Sequence, residues 1–339
     1  MSARPGPRNL ITDVAGLRVG QAADVRTRTG VTVVVPDARA VCACDVRGGG
    51  PGTRETDALN PETLVDAVDA VVLSGGSVYG LAAADGVTAV LGQRDRGFRL
   101  STTPGVPPSP IVPAAILYDL GNGGAKDWGE SPPYRALGIA ALGQAAEAFD
   151  LGTSGAGYGA MAGGLKGGIG SASVISDDGY TVGAIAAVNS FGSVVAPGGR
   201  TFWAAPYEIG AEFGGLGAAG LAAAPDDWGP AKGAASLVRA NTTIACVATD
   251  AELTVAEARR LAIMAQDGLA RAIRPAHAPV DGDVVFALAL SARALAGPRH
   301  VALTRLGALA ADCLARAIAR GVYEATSAPG AADRCWRDL

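Results

Sequence analysis

The stretch RANTTIACVATD, residues 239–250, decides how the rest of the chain is organised. From Thr242 to Thr249 it reads as a β-strand, because β-branched and small apolar residues dominate and the run closes at Asp250. Immediately before it lies AAPDDWGPAKGAAS (223–236), the end of a Gly-, Ala- and Pro-rich tether over 193–238. A buried strand opening on Asn-Thr-Thr needs only a turn residue, which Asn241 supplies. The alternative is that Thr242 is built to become a chain terminus.

The remaining composition sets the frame. A chain of 339 residues is long enough for a sizeable core. Hydrophobic residues make up 49% but aromatics only 5%, so that core is filled by Ala, Val, Leu and Ile. The 48 glycines imply tight turns and close backbone approaches. Net charge is −4 with no run of Lys or Arg, which argues against nucleic-acid or anionic-membrane partners. Five scattered cysteines without a C-x-x-C pair fit reduced thiols better than a disulfide frame or a zinc site. The longest uncharged window, 179–199, holds Gly, Asn and Pro and reads as strand and turn. The opening residues carry no signal-peptide core, so a soluble cytoplasmic protein is expected.

Residues 10–47 alternate short β-type runs with turns. RGGGPGTRETDALNPE (47–62) reads as a loop, and 69–94 as strand, Gly-Gly turn and Ala-rich helix. A helix is expected over 133–148, a strand in GYTVGAIAAVNS (179–190), and after Thr249 a helix over 254–273, a strand over 284–290 and a long helix near 300–323. Thr254 and Glu257 form a capping box, and Pro275 stops the first of these helices.

Several motifs invite chemistry. GAGYGA (155–160) fits G-x-G-x-x-A with Asp177 beyond it, but MAGGLKGGIG follows as a poor helix former, and no helix N-terminus is offered to a pyrophosphate. Lys166 is the only cation between Leu151 and Ser176; it is either solvated at a loop tip or buried to orient charge. Asp281 and Asp283 stand at i and i+2 before a strand, as a turn of solvated acids or as a carboxylate pair on one face. Both histidines, His277 and His300, read as loop or surface imidazoles. An N-terminal Thr242 combines nucleophile and base, because its own α-amine, with a pKa of about 8, accepts the hydroxyl proton. Exposing it requires a cut between Asn241 and Thr242.

ITDVAGLRVGQ, DVRGGGPGTRETD, VVLSGGSVYGLAAADGV, GAGYGAMAGG, AAVNSFG and the run from NTT through VDGDVVFAL, taken in order, resemble the DmpA-like aminopeptidase family. That family holds the L-aminopeptidase/D-Ala-esterase, the β-peptidyl aminopeptidases and the nylon-oligomer endo-hydrolase. The resemblance implies a four-layer αββα sandwich of the N-terminal-nucleophile type, shared with the ornithine acetyltransferases. It also implies one domain self-cleaved into a 1–241 α fragment and a 242–339 β fragment, assembling as a homotetramer or larger.

Carried over by position, Thr242 is the nucleophile, Asn189 an active-site oxyanion donor, and Asp281 and Asp283 the pair that holds the freed amine. Lys166 and Tyr118 match the remaining active-site positions of the nylon-oligomer branch, with Lys166 expected to balance the charge of the acids and Tyr118 to meet substrate. The aminopeptidase branch carries Ser and Ser-x-Glu where this chain has Thr and Asp-x-Asp. The front half, with GTRETD and LSGGSVYGLAAADG, is closer to the aminopeptidases.

The expectation is an amide hydrolase acting on small peptides or oligoamides through an acyl-enzyme, without cofactor or metal. The competing readings are an acyltransferase of the ornithine-acetyltransferase type and an uncut small-molecule-binding protein.

Overall fold

The computed structural model describes residues 3–219, 221–232 and 241–339. The first sheet is built from β1 (Leu17–Asp24), β2 (Thr29–Pro36), β4 (Thr53–Arg54), β5 (Val71–Ser74) and β6 (Ala114–Ile116), in the order β1-β2-β5-β6-β4. The second is built from β3 (Val41–Val46), β9 (Ile169–Ile175), β10 (Thr181–Asn189), β11 (Thr242–Ala251) and β12 (Val284–Arg293), in the order β3-β12-β11-β10-β9. A short hairpin joins β7 (Met161–Ala162) to β8 (Leu165–Lys166). The pairs β5–β6 and β11–β12 are parallel, and the other ladders are antiparallel.

The period-2 alternation of these strands makes three apolar layers. In β11, Ile244, Cys246 and Ala248 meet the first sheet in the middle layer, while Ala245 and Val247 face the helices. β12 splits likewise, with Val284, Phe286 and Leu288 inward and Val285, Ala287 and Ala289 outward. Helices α1 (Ala82–Gln93) and α2 (Tyr134–Gly143) cover the outer face of the first sheet. Helices α3 (Val255–Ala265), α4 (Asp267–Ala272) and α5 (Arg299–Tyr323) cover the second. The result is the expected four-layer αββα sandwich, each sheet covered on both faces.

Small residues let these layers approach. A Cβ on Gly170 of β9 would lie 1.8 Å from the carbonyl oxygen of Ala317 in α5, and one on Gly168 2.4 Å from that of Gly321. The capping box of Thr254 and Glu257 is present at the start of α3. The helix expected over 254–273 is divided at Gln266, and the one expected over 133–148 ends at Gly143.

The tether is a larger correction. Its first half is built into the core: Val194, Val195, Phe202, Ala204 and Phe213 are buried, and Phe202 stacks on Trp336, whereas 215–219 and 222–228 are exposed. Glu212 accepts hydrogen bonds from the fully buried Arg316 of α5 at 2.6 and 2.9 Å. Residues 233–238, which end the expected tether, lie outside the described residues. No helix among the described residues is long and apolar enough to cross a membrane.

Candidate active site

The site forms where β10 ends and β11 begins. The antiparallel register sets Asn189, last residue of β10, opposite Thr242, first residue of β11. Each continues the inward-facing parity of its strand, Asn189 after Ile185 and Ala187, Thr242 before Ile244 and Cys246. Both are buried.

The Thr242 hydroxyl donates to the carbonyl oxygen of Asn241, on the bond whose cleavage would free its nitrogen. The Gly282 N–H donates to the same oxygen at 3.2 Å. The carbonyl thus meets two donors, one of them the candidate nucleophile. The Asn241 side-chain amide is buried, and neither its oxygen nor its nitrogen has a partner among the described residues. Such a group costs roughly 1–3 kcal/mol.

The turn 278–283 carries the two acids. Asp281 accepts from the N–H of Phe191 at 3.1 Å and of Ala278 at 3.1 Å. Asp283 accepts from the N–H of Thr243 at 2.8 Å and of His277 at 3.1 Å, and meets His277 Nδ1 at 2.9 Å. Strand β12 begins only at Val284, so the acids belong to the turn and are held by different neighbours. The loop Arg47–Gly50 clamps this turn, with Arg47 and Gly48 N–H groups on the Asp283 carbonyl and Gly50 N–H on the Asp281 carbonyl.

Between the acids, a Cβ on Gly282 would lie 2.7 Å from Thr242 Oγ1 and 2.9 Å from the Gly50 carbonyl. Gly282→Ala is therefore expected to displace the Thr242 hydroxyl and to slow any cut at Asn241–Thr242 by tenfold or more. The uncut fraction on a denaturing gel over time measures it; a wild-type time course would remove Gly282 from the site.

Asn189 is fixed from several sides. Its Oδ1 accepts from the Met161 N–H at 2.8 Å and its Nδ2 donates to the Tyr118 carbonyl at 3.0 Å. Tyr118 thus reaches the site through its main chain, its side chain being half-buried. Lys166 is fully buried under the same loop, donating to the carbonyls of Gly157, Ala160 and Gly167 at 3.1, 3.0 and 2.7 Å. Burial pushes its ammonium down to about 8, opposed most by the charge of Asp333. Lys166 braces the turn that presents Met161 to Asn189.

The charge-balancing role expected of Lys166 is therefore corrected. Among the described residues, the cation that lowers Asp281 is Lys232, within the expected tether. Burial and the neighbouring Asp283 charge push Asp281 up to about 7, opposed by the Phe191 and Ala278 N–H groups and by Lys232. Burial pushes Lys232 down to about 7, opposed by Asp281. His277 lies in a loop, as expected, and its ring rests there on Asp283. Phe191, whose N–H holds Asp281, packs its ring edge to face at 6.4 Å on the half-exposed Trp228. Among the described residues no cluster of three or more His, Cys, Asp or Glu is arranged to hold a metal ion.

Comparison with known proteins gives consistent likenesses. The model of peptidase family S58 matches residues 9–336. An uncharacterized aminopeptidase of Mycobacterium bovis is 44% identical over 350 aligned positions, covering 95% of this chain and 96% of that protein. A 6-aminohexanoate-oligomer endohydrolase of Kocuria sp. is 29% identical, covering 91% of this chain and 84% of its own. The solved L-aminopeptidase D-Ala-esterase/amidase of Ochrobactrum anthropi, described as a variant of the Ntn hydrolase fold, superposes with a TM-score of 0.68 at 21% identity, covering 99% of this chain and 92% of that one.

Proposed function

The chain belongs to peptidase family S58, and from that premise we propose that it is a self-processing N-terminal threonine hydrolase that cleaves amide bonds of small peptides or oligoamides. One observation carries the reading: the Thr242 hydroxyl and the Gly282 N–H converge on the carbonyl of Asn241, beside Asn189 and the acid pair.

In the first step Thr242 Oγ1 adds to the Asn241 carbonyl carbon, and the developing oxyanion faces the Gly282 N–H. The C–N bond breaks, the hydroxyl proton ends on the Thr242 nitrogen, and an ester joins the Asn241 acyl group to Oγ1. Water hydrolyses that ester to the Asn241 carboxylate, leaving fragments 1–241 and 242–339. In turnover the freed amine takes the hydroxyl proton as Oγ1 attacks a substrate carbonyl, then gives it to the leaving amine; water releases the acyl group. Asn189 contributes to the oxyanion site, and Asp281 and Asp283 accept from the ammonium.

Thr and Asp-x-Asp favour oligoamide-type substrates, as named for the Kocuria relative, while the identity to the mycobacterial aminopeptidase favours short peptides with a free amine. We place the mature protein in the cytoplasm as a homotetramer or larger, working without cofactor or metal; light scattering tests the assembly. Intact mass of freshly purified, denatured protein tests the cut. Two fragments are expected, the smaller beginning Thr242-Thr243-Ile244. A full-length chain persisting after prolonged incubation would overturn the reading.

A further inference from the structure

Before any cut the site has a charge problem. Asp281 and Asp283, separated by Gly282, are 1% and 2% exposed, while the Thr242 nitrogen that is to neutralise them is still an uncharged peptide amide. Two buried carboxylates without a cation are costly. The uncut chain has a cation in place: Lys232 is docked on the end of β10 at two points, its N–H on the Phe191 carbonyl at 2.9 Å and its Nζ on the Asn189 carbonyl at 3.3 Å. Those residues are the two contacts that define the site, since Asn189 pairs with Thr242 and the Phe191 N–H holds Asp281. Lys232 also belongs to the segment on the Asn241 side of the bond.

Resting on the self-processing reading above, we propose that Lys232 is a positioning residue for the cut: it supplies the cation of the acid pair and steadies the main chain at Asn189 while the chain is intact, and the Thr242 ammonium takes over that place when the bond breaks. The groups that face Asp281 in this arrangement are Asp283, Lys232 and the N–H groups of Phe191 and Ala278; His277 faces Asp283. Lys232 support is thus needed most before processing and least after it. The contact that helps make the enzyme occupies charge space that the mature amine requires.

The test follows the first-order disappearance of full-length chain for wild type, Lys232→Met and Lys232→Arg, with turnover of a chromogenic amide measured per cut molecule. Lys232→Met is expected to slow the cut tenfold or more, with a much smaller loss of turnover per cut molecule, and Lys232→Arg to restore most of the cutting rate. Equal losses in cutting and in turnover, or an Arg variant as slow as the Met variant, would overturn the proposal, because either marks a packing defect. Lys232→Met cutting at the wild-type rate would overturn it too while leaving self-processing standing. A wild-type chain that never cuts would instead remove the function on which it rests.

Discussion

Thr242→Ala is expected to give a single uncut chain whose amide-hydrolysing activity falls to background, a loss of about 10⁴-fold or more. The substitution removes the one oxygen that serves both reactions: the hydroxyl on the Asn241 carbonyl is the same atom that would attack substrate. Because the chain stays whole, the nitrogen of residue 242 also stays an amide, so nucleophile and base are lost together. The fold should survive, since the side chain is small and Thr243 still donates to Asp283. Thr242→Ser keeps the same functional atoms and is expected to cut and to turn over. Mass spectrometry and an amide assay decide the matter: an Ala variant that arrives as two fragments would show that the cut is made by another agent.

Arg316→Met is expected to carry the largest stability cost, about 3–5 kcal/mol, read as a lowered urea midpoint. The guanidinium is fully buried and donates to both Glu212 oxygens, to the Ser173 carbonyl at 2.9 Å and to Asn9 Oδ1 at 2.8 Å. Its removal strands a carboxylate under α5 that has lost its hydrogen-bonded cation and keeps only the charge of Arg320 nearby. Burial alone raises the Glu212 carboxyl, but the hydrogen bonds and charge of Arg316 bring it below its ordinary value of 4.5. A depressed carboxylate stabilises the fold above that value and ceases to as pH falls through its folded-state pKa. The gap between wild type and variant should therefore be full at neutral pH and narrow below 4.5. The double variant Glu212→Gln with Arg316→Met should recover part of the loss. A wild-type midpoint for the single variant would mean that the 195–213 segment is not anchored through this pair.

These two residues show what the sequence made legible and what it hid. Thr242 announces itself because a strand buried on both faces is hard to reconcile with a soft approach, and the strands around it have unbroken apolar runs that only a doubly covered sheet accommodates. The Thr254–Glu257 box is local chemistry and reads directly. Glu212, by contrast, meets a residue more than a hundred positions away, inside Gly- and Ala-rich sequence whose composition resembles a linker; nothing local marks Phe202 or Phe213 as core. Lys232 and His277 were hidden as well. Lys232 meets the end of a strand distant in sequence, whereas His277 meets Asp283 only six residues on, through a turn geometry that the sequence does not display. Lys166 was easier to notice, as the sole cation in an apolar stretch, than to assign, because three carbonyls of its own turn hold it instead of the acid pair. Strand order, with β5 and β6 parallel beside β2, depends on long-range pairing that periodicity does not encode.

The position of β11 has a consequence for the proposed processing. A cut before Thr242 leaves β11 and β12 on one piece and β3, β9 and β10 on the other, with the pair seated between β3 and β10. The two pieces are interleaved, so neither can depart without opening ladders on both sides of the inserted pair. With such a cut, folding would take place once, as a single connected chain. Any later unfolding turns reassembly into a collision between two molecules, whose yield falls on dilution. Durability then rests on how slowly the sheet opens and no longer on an equilibrium to which the chain can return.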